Sequence, residues 1–266
     1  MFYNACEADV TLRSGKTHYL RFGTGKKVLV MVPGLRIAPI AGTAKAVALA
    51  FRIFVKDYTV YEFDRNEPVV EGCTIHSLAE DLAEAMEKLG LKDVYMYGAS
   101  QGGMIAQDLA IHHPELVKKL VLAVTLSKNN ETVEKVIESW IAMARGKGLG
   151  EIALDYTTKG FSESYLKKYK AILPLLMKMQ KMVPKERFIT LAKACLTCET
   201  YEQLDMIQCP VLVLGGAKDQ IVTGEASREI AEKLNCPYYL YEELSHEAYS
   251  EAKDFNRRIY DFFAQS

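Results

Sequence analysis

Residues 98–102, Gly-Ala-Ser-Gln-Gly, match G-x-S-x-G and present one serine, Ser100, between a strand-like run and a helix-like one. Val94, Tyr95, Met96 and Tyr97 before it are apolar or aromatic, and a helical pattern runs from Gln101 to about His112. A strand that turns directly into a helix holds the intervening residue in a strained conformation, and small residues at 98 and 102 let the two elements pass. The same pentapeptide also reads as a glycine-rich turn with an incidental serine, so its partners decide. A serine hydroxyl is a weak nucleophile at neutral pH; it needs a base, and the base needs a group to orient it. Asp219, in GGAKD, follows the apolar run Val211 to Leu214, and His246, in ELSHEA, follows Tyr238 to Tyr241. The order Ser, Asp, His, each at a strand end, is the order such an elbow expects. His18, His76, His112 and His113 read as hairpin or helix-end residues. Cys195 and Cys198 have C-x-x-C spacing, but no second pair or histidine spacing completes a zinc site, so they read as small buried helix residues.

The elements that must position these groups alternate. Ala8 to Arg13 and Lys16 to Phe22 flank Ser14-Gly15 and predict an antiparallel hairpin. Lys27 to Val32 is a short apolar run suited to a buried parallel strand, followed by Pro33-Gly34-Leu35 and a helix of small residues over about Pro39 to Phe51. Tyr58 to Phe63 reads as a strand. Ile75 to Leu89 has one apolar helical face, entered near Thr74 and ended at Gly90. A strand within Leu116 to Leu126, another at Pro210 to Leu214, a helix at Glu225 to Leu234, a strand at Tyr238 to Tyr241 and a helix at Tyr249 to Phe263 complete an α/β pattern with a mostly parallel sheet. Residues 127–206 interrupt it with helical windows at Glu131 to Arg145, Ser162 to Tyr169 and Lys185 to Cys198 and no convincing strand. The expected organisation is a core of residues 1–126 and 207–266 with a helical cap at 127–206.

Taken together, PGL at 33–35, FDRNE at 63–67, GASQGG at 98–103, GGAKD at 215–219 and SHEAYSEAKDFNRRIYDFF at 245–263 give the chain a resemblance to α/β-hydrolase-fold enzymes over essentially its full length. The resemblance implies helices on both faces of the sheet and a serine hydrolase of the esterase or enol-lactonase kind. It implies nucleophile, acid and base roles for Ser100, Asp219 and His246, and an oxyanion hole formed by the backbone N–H groups of Leu35 and Gln101. Two departures stand out: Pro33 replaces the family's usual histidine in the oxyanion loop, and Ser245 replaces the glycine usual before the catalytic histidine. Because the nucleophile is a serine, the carboxylate-nucleophile relatives of this fold, dehalogenases and epoxide hydrolases, do not fit. No metal or organic cofactor is expected.

With 266 residues, 49% hydrophobic and 25% charged, the chain can bury a large core, and its net charge of −1 offers no footprint for nucleic acid. No run approaches the roughly 18 apolar residues of a membrane span, and the N-terminus has no signal-peptide pattern, so the expectation is a cytoplasmic protein. Six cysteines in a chain this long are no disulfide framework. Trp140 and Met143, with Met177, Met179 and Met182, are candidates to line an apolar acyl pocket, or equally to pack the cap onto the core. From Lys159 to Lys193 nine basic and two acidic residues either attract an anionic substrate or form a solvated surface. Three functions stand open: an ester hydrolase for a small or medium acyl group, a lactonase or carbon–carbon bond hydrolase, and a non-catalytic ligand-binding protein of the same fold. The partner expected of the first two is a small-molecule ester or lactone. Oligomeric state is not legible.

Overall fold

In the computed structural model, which describes residues 2–169 and 181–265, eight strands form one sheet in the order β1-β2-β4-β3-β5-β6-β7-β8. These are β1 (Cys6–Thr11), β2 (Lys16–Gly23), β3 (Lys27–Val32), β4 (Tyr58–Phe63), β5 (Val94–Ala99), β6 (Val117–Ala123), β7 (Val211–Gly216) and β8 (Tyr238–Tyr241). The pairings of β1 with β2 and of β2 with β4 are antiparallel, and the other five are parallel. The first hairpin differs from the expected two-residue turn. Thr11 registers with Lys16, and the longer connection lets Leu12 enter the core.

Strands buried on both faces need helices on both. One face is covered by α2 (Ile75–Lys88) and α3 (Gln101–His112), whose Leu78, Leu82, Ile105 and Leu109 pack on Val30, Met96 and Leu122 of the sheet. On the other, α1 (Ala44–Ala50) and the C-terminal helix Phe255–Ala264 pack Ala48, Phe255, Ile259 and Phe263 against Leu29, Val60 and Tyr95. The helix start at Thr74 is a capping box: its side chain accepts from Ser77 N–H, and Ser77 Oγ accepts from Thr74 N–H. The helix expected over Pro39 to Phe51 is shorter, and that expected over Tyr249 to Phe263 divides into Ala248–Glu251 and Phe255–Ala264.

Between β6 and β7 lie α4 (Glu131–Gly146), α5 (Leu149–Gly160), α6 (Glu163–Tyr169) and α7 (Lys185–Cys195). Glycines at 146, 148, 150 and 160 obscured α5 in the sequence pattern, yet Ile152 and Ala153 bury its inner face. Val133, Ile137 and Trp140 of α4 and Phe188 of α7 join the same core cluster as α2 and α3, so these helices pack on the sheet domain through apolar surface. Among the described residues no helix is long and apolar enough to cross a membrane.

Candidate active site

Ser100 sits at φ 53°, ψ −124°, a conformation rare for a residue with a side chain and tolerated where surrounding structure enforces it. The enforcement is visible on both sides. A Cβ at position 98 would lie 2.5 Å from Gly102 O, and one at position 102 would lie 1.9 Å from Val32 O, so neither site admits a side chain. Ser100 N–H donates to Ala123 O at 2.9 Å, and Ser100 O accepts from Thr125 Oγ1 and from Gly103 N–H, both at 2.8 Å. The turn is therefore bonded to β6 at its N–H and, at its C=O, to the segment just past β6 and to the first turn of α3.

The ends of the next two strands bring the predicted partners together. Asp219, in the loop after β7, accepts at Oδ1 from the N–H groups of Ile221 (2.7 Å) and Val222 (3.0 Å), which aims Oδ2 at His246 Nδ1, 2.7 Å away. Both side chains are almost fully buried. A carboxylate can only accept, so Nδ1 carries the proton and Nε2 is the nitrogen left for chemistry. Burial by itself would lower the His246 pKa; the Asp219 charge and hydrogen bond, with the Glu247 charge, outweigh it and hold the pKa above the usual 6.5. Ser100 and His246 face the same cavity.

The loop carrying His246 is tied to the segment between β6 and β7, which the sequence pattern did not disclose. Glu247 accepts from the hydroxyls of Tyr156, Tyr249 (2.7 Å) and Ser250, and its N–H donates to Gly160 O at 2.7 Å. Ser245 Oγ donates to Lys159 O at 2.5 Å, and Glu251 accepts from Ser162 N–H (2.8 Å) and Oγ (2.5 Å). Ser245 is thus a tether in its own right. The Tyr156 ring stands edge-on to the imidazole, centroids 6.2 Å apart.

Gln101 follows Ser100 in the chain, and Leu35 lines the same cavity as Ser100. Gln101 opens α3, where backbone N–H groups lack helical partners, and among the described residues neither its N–H nor that of Leu35 donates a hydrogen bond. Gly34 passes so close that a Cβ there would lie 3.1 Å from Ser100 Cβ. The Gln101 side chain is also a structural link: Oε1 accepts from Arg65 Nε (3.3 Å) and Nη2 (3.1 Å), and Nε2 donates to Leu191 O (2.6 Å) and Cys195 Sγ (3.1 Å) on α7. Arg65 Nη2 also donates to Pro33 O at 2.6 Å, so a buried guanidinium holds the Pro33–Gly34–Leu35 loop. Burial pushes the Arg65 pKa down to about 10, with Asp64 opposing it.

The cavity measures about 470 Å³ and joins Ser100 and His246 to apolar side chains of α4, α5 and α7, among them Ile137, Trp140, Ile152 and Phe188. Trp140 therefore lines it, its Nε1–H fixed by Asp155 Oδ2 at 2.7 Å. Met143, one turn further along α4, is not among the residues lining it and packs half-buried on the core cluster. Met182 is exposed outside the cavity, and Met177 and Met179 lie outside the described residues. Within the basic stretch Lys159 pairs with Asp155, Lys167 with Glu163, Lys185 with Glu186, and Arg187 with Asp64 (2.8 Å) and Glu67. Cys195 and Cys198 are buried, and burial pushes both thiols up to about 12, which suits packing and not reactivity. Away from the cavity, donor atoms of His76, Asp108 and His112 lie within 4.8 Å of one another and could hold a metal ion; Asp108 Oδ1 is 2.8 Å from His76 Nδ1.

A family model described as serine aminopeptidase, S33, matches residues 44–253. In sequence the chain is 29% identical over 163 residues to 3-oxoadipate enol-lactonase 2 of Acinetobacter baylyi, a match covering 60% of this chain and 59% of that one. It is 24% identical over 261 residues to a pimeloyl-[acyl-carrier protein] methyl ester esterase of Vibrio atlanticus, covering 88% and 93% respectively. In structure it superposes on an enol-lactonase from Burkholderia xenovorans LB400 with a TM-score of 0.83 at 19% identity, covering 97% of this chain and all of that one, a likeness of fold.

Proposed function

Since the chain belongs to the serine aminopeptidase S33 family of α/β-hydrolase-fold hydrolases, we propose that it is a serine hydrolase that cleaves a carboxylic ester with a small or medium acyl group. The observation that carries this reading is the Asp219–His246 pair, joined at 2.7 Å, opening onto the same cavity as a serine held in an elbow conformation. In the proposed reaction His246 Nε2 takes the Ser100 proton as Oγ attacks the acyl carbon, and Asp219 orients the ring and stabilises the imidazolium. The N–H groups of Leu35 and Gln101 receive the negative charge that develops on the carbonyl oxygen. The imidazolium then protonates the departing alkoxide, leaving an acyl-enzyme, and water deprotonated by His246 releases the acid. Residues 127–206 act as a cap over the site, with Trp140 contributing to the acyl pocket.

A lactone substrate is the second reading, favoured by the enol-lactonase relative; ring opening at Ser100 follows the same steps with the leaving oxygen retained on the acyl chain. Six unpaired cysteines fit a reducing, cytoplasmic setting. Incubation with a fluorophosphonate probe, together with turnover of short p-nitrophenyl esters and a lactone panel, tests the proposal. Wild type should label and turn over, and Ser100→Ala should do neither. Equal behaviour of the two proteins would remove Ser100 as nucleophile, and a strong preference for rings would select the lactonase reading.

A further inference from the structure

The cavity has a polar end that the acyl chemistry does not use. Glu62 lies near the C-terminal end of β4, registered with Met31 on β3 and Leu20 on β2. Strand alternation puts it on the same face as Tyr58 and Val60, which bury themselves against α1 and the C-terminal helix. The residue is 5% exposed, its carboxyl makes no hydrogen bond among the described residues, and it lines the cavity that holds Ser100. Tyr97, on the strand that leads to the elbow, is equally buried, lines the same cavity and also has no hydroxyl partner among the described residues. Buried polar side chains are nearly always bonded, and those left open into a cavity are the ones a ligand completes.

The surrounding charges narrow the ligand's chemistry. Arg36 and Arg65 both bear electrostatically on Glu62, and Asp64 opposes them. Of these, only Arg36 lines the cavity with Glu62, so a ligand ammonium there would meet a guanidinium and a ligand carboxylate would meet the Glu62 carboxyl. A neutral group that both donates and accepts has neither conflict.

We infer that Glu62 and Tyr97 form a hydroxyl-recognition subsite, in which a hydroxyl borne on the substrate's acyl chain donates to the Glu62 carboxylate and accepts from the Tyr97 hydroxyl. This assignment rests on the serine-hydrolase reading for the placement of the acyl group, and it makes the preferred substrate a hydroxyacyl ester. Sites built to bond a hydroxyl discriminate strongly against analogues that lack it.

The test separates binding from turnover. Methyl esters of four- to eight-carbon acids, with and without a terminal hydroxyl, are titrated calorimetrically into Ser100→Ala protein, which retains the cavity. At one chain length the hydroxyl should tighten binding by at least tenfold. Adding Glu62→Leu should remove that preference while the plain ester still binds. Tyr97→Phe serves as the second variant and should reduce the preference severalfold. Absence of a hydroxyl preference at every chain length overturns the subsite, as does a preference that survives both substitutions. Turnover of the same esters by wild type is read in parallel: a hydroxyl preference in binding with no turnover supports the subsite and defeats only the hydrolase reading.

Discussion

Glu62 makes a prediction about stability that needs no substrate. Burial is the largest influence on its carboxyl, with Arg36 and Arg65 opposing it and Asp64 adding to it, and the net result is a pKa pushed up from 4.5 to about 7. The folded state therefore holds this proton more tightly than the unfolded chain does. Its contribution to stability is complete below pH 4.5 and is lost as pH rises through 7, because above that value the fold contains an ionised, unpaired carboxylate. Glu62→Gln preserves shape and cannot ionise. Linkage between 4.5 and 7 makes the variant's advantage over wild type grow from less than about 1 kcal/mol at pH 5 to about 3 kcal/mol at pH 8, relative to whatever constant offset the amide introduces. Urea unfolding of both proteins at several pH values measures that difference, and every other titrating group cancels between them. Parallel stability curves for the two proteins from pH 5 to pH 8 would refute the buried, unpaired assignment of Glu62.

Two other substitutions address the reacting groups and their support. In the proposed reaction His246 must be neutral to accept the Ser100 proton, and Asp219 holds its pKa above 6.5, so kcat/KM should rise with pH along a limb centred above that value; Asp219→Asn should move the limb to lower pH and reduce turnover by about 10⁴-fold. Wild-type turnover or an unmoved limb in Asp219→Asn would assign the orienting role to another carboxylate. Gln101→Met keeps the backbone N–H but removes the acceptor for two Arg65 N–H groups and the donor to Leu191 O, so it should cost about 3 kcal/mol in urea unfolding; a loss below about 1 kcal/mol would mean that this network contributes little.

Much of the fold was readable because its signals are local. Apolar runs at Lys27–Val32, Val94–Ala99 and Val211–Gly216 are buried on both faces, so their composition alone marks them as interior parallel strands. The amphipathic period of Ile75–Lys88 and its Thr74 cap are equally local. Ser100 and Asp219 could be singled out because each follows such a strand, and His246 because it follows the parallel edge strand Tyr238–Tyr241; parallel strands deliver their C-terminal loops to one edge of the sheet. Glycine-rich α5 carried no comparable signal, and its boundaries depend on the core against which Ile152 packs.

What the sequence determined by itself is the chain order of the three candidate reactive residues and the strands that carry them, since period and turn chemistry are written in neighbouring side chains. The tertiary structure alone decided which groups surround them. Tyr156 reaches Glu247 across 91 positions, Gln101 joins Arg65 to α7, and Glu62 faces a cavity instead of solvent. Strand alternation states that Glu62 lies on one face; only the helices packed over that face determine whether its carboxyl meets water or a substrate.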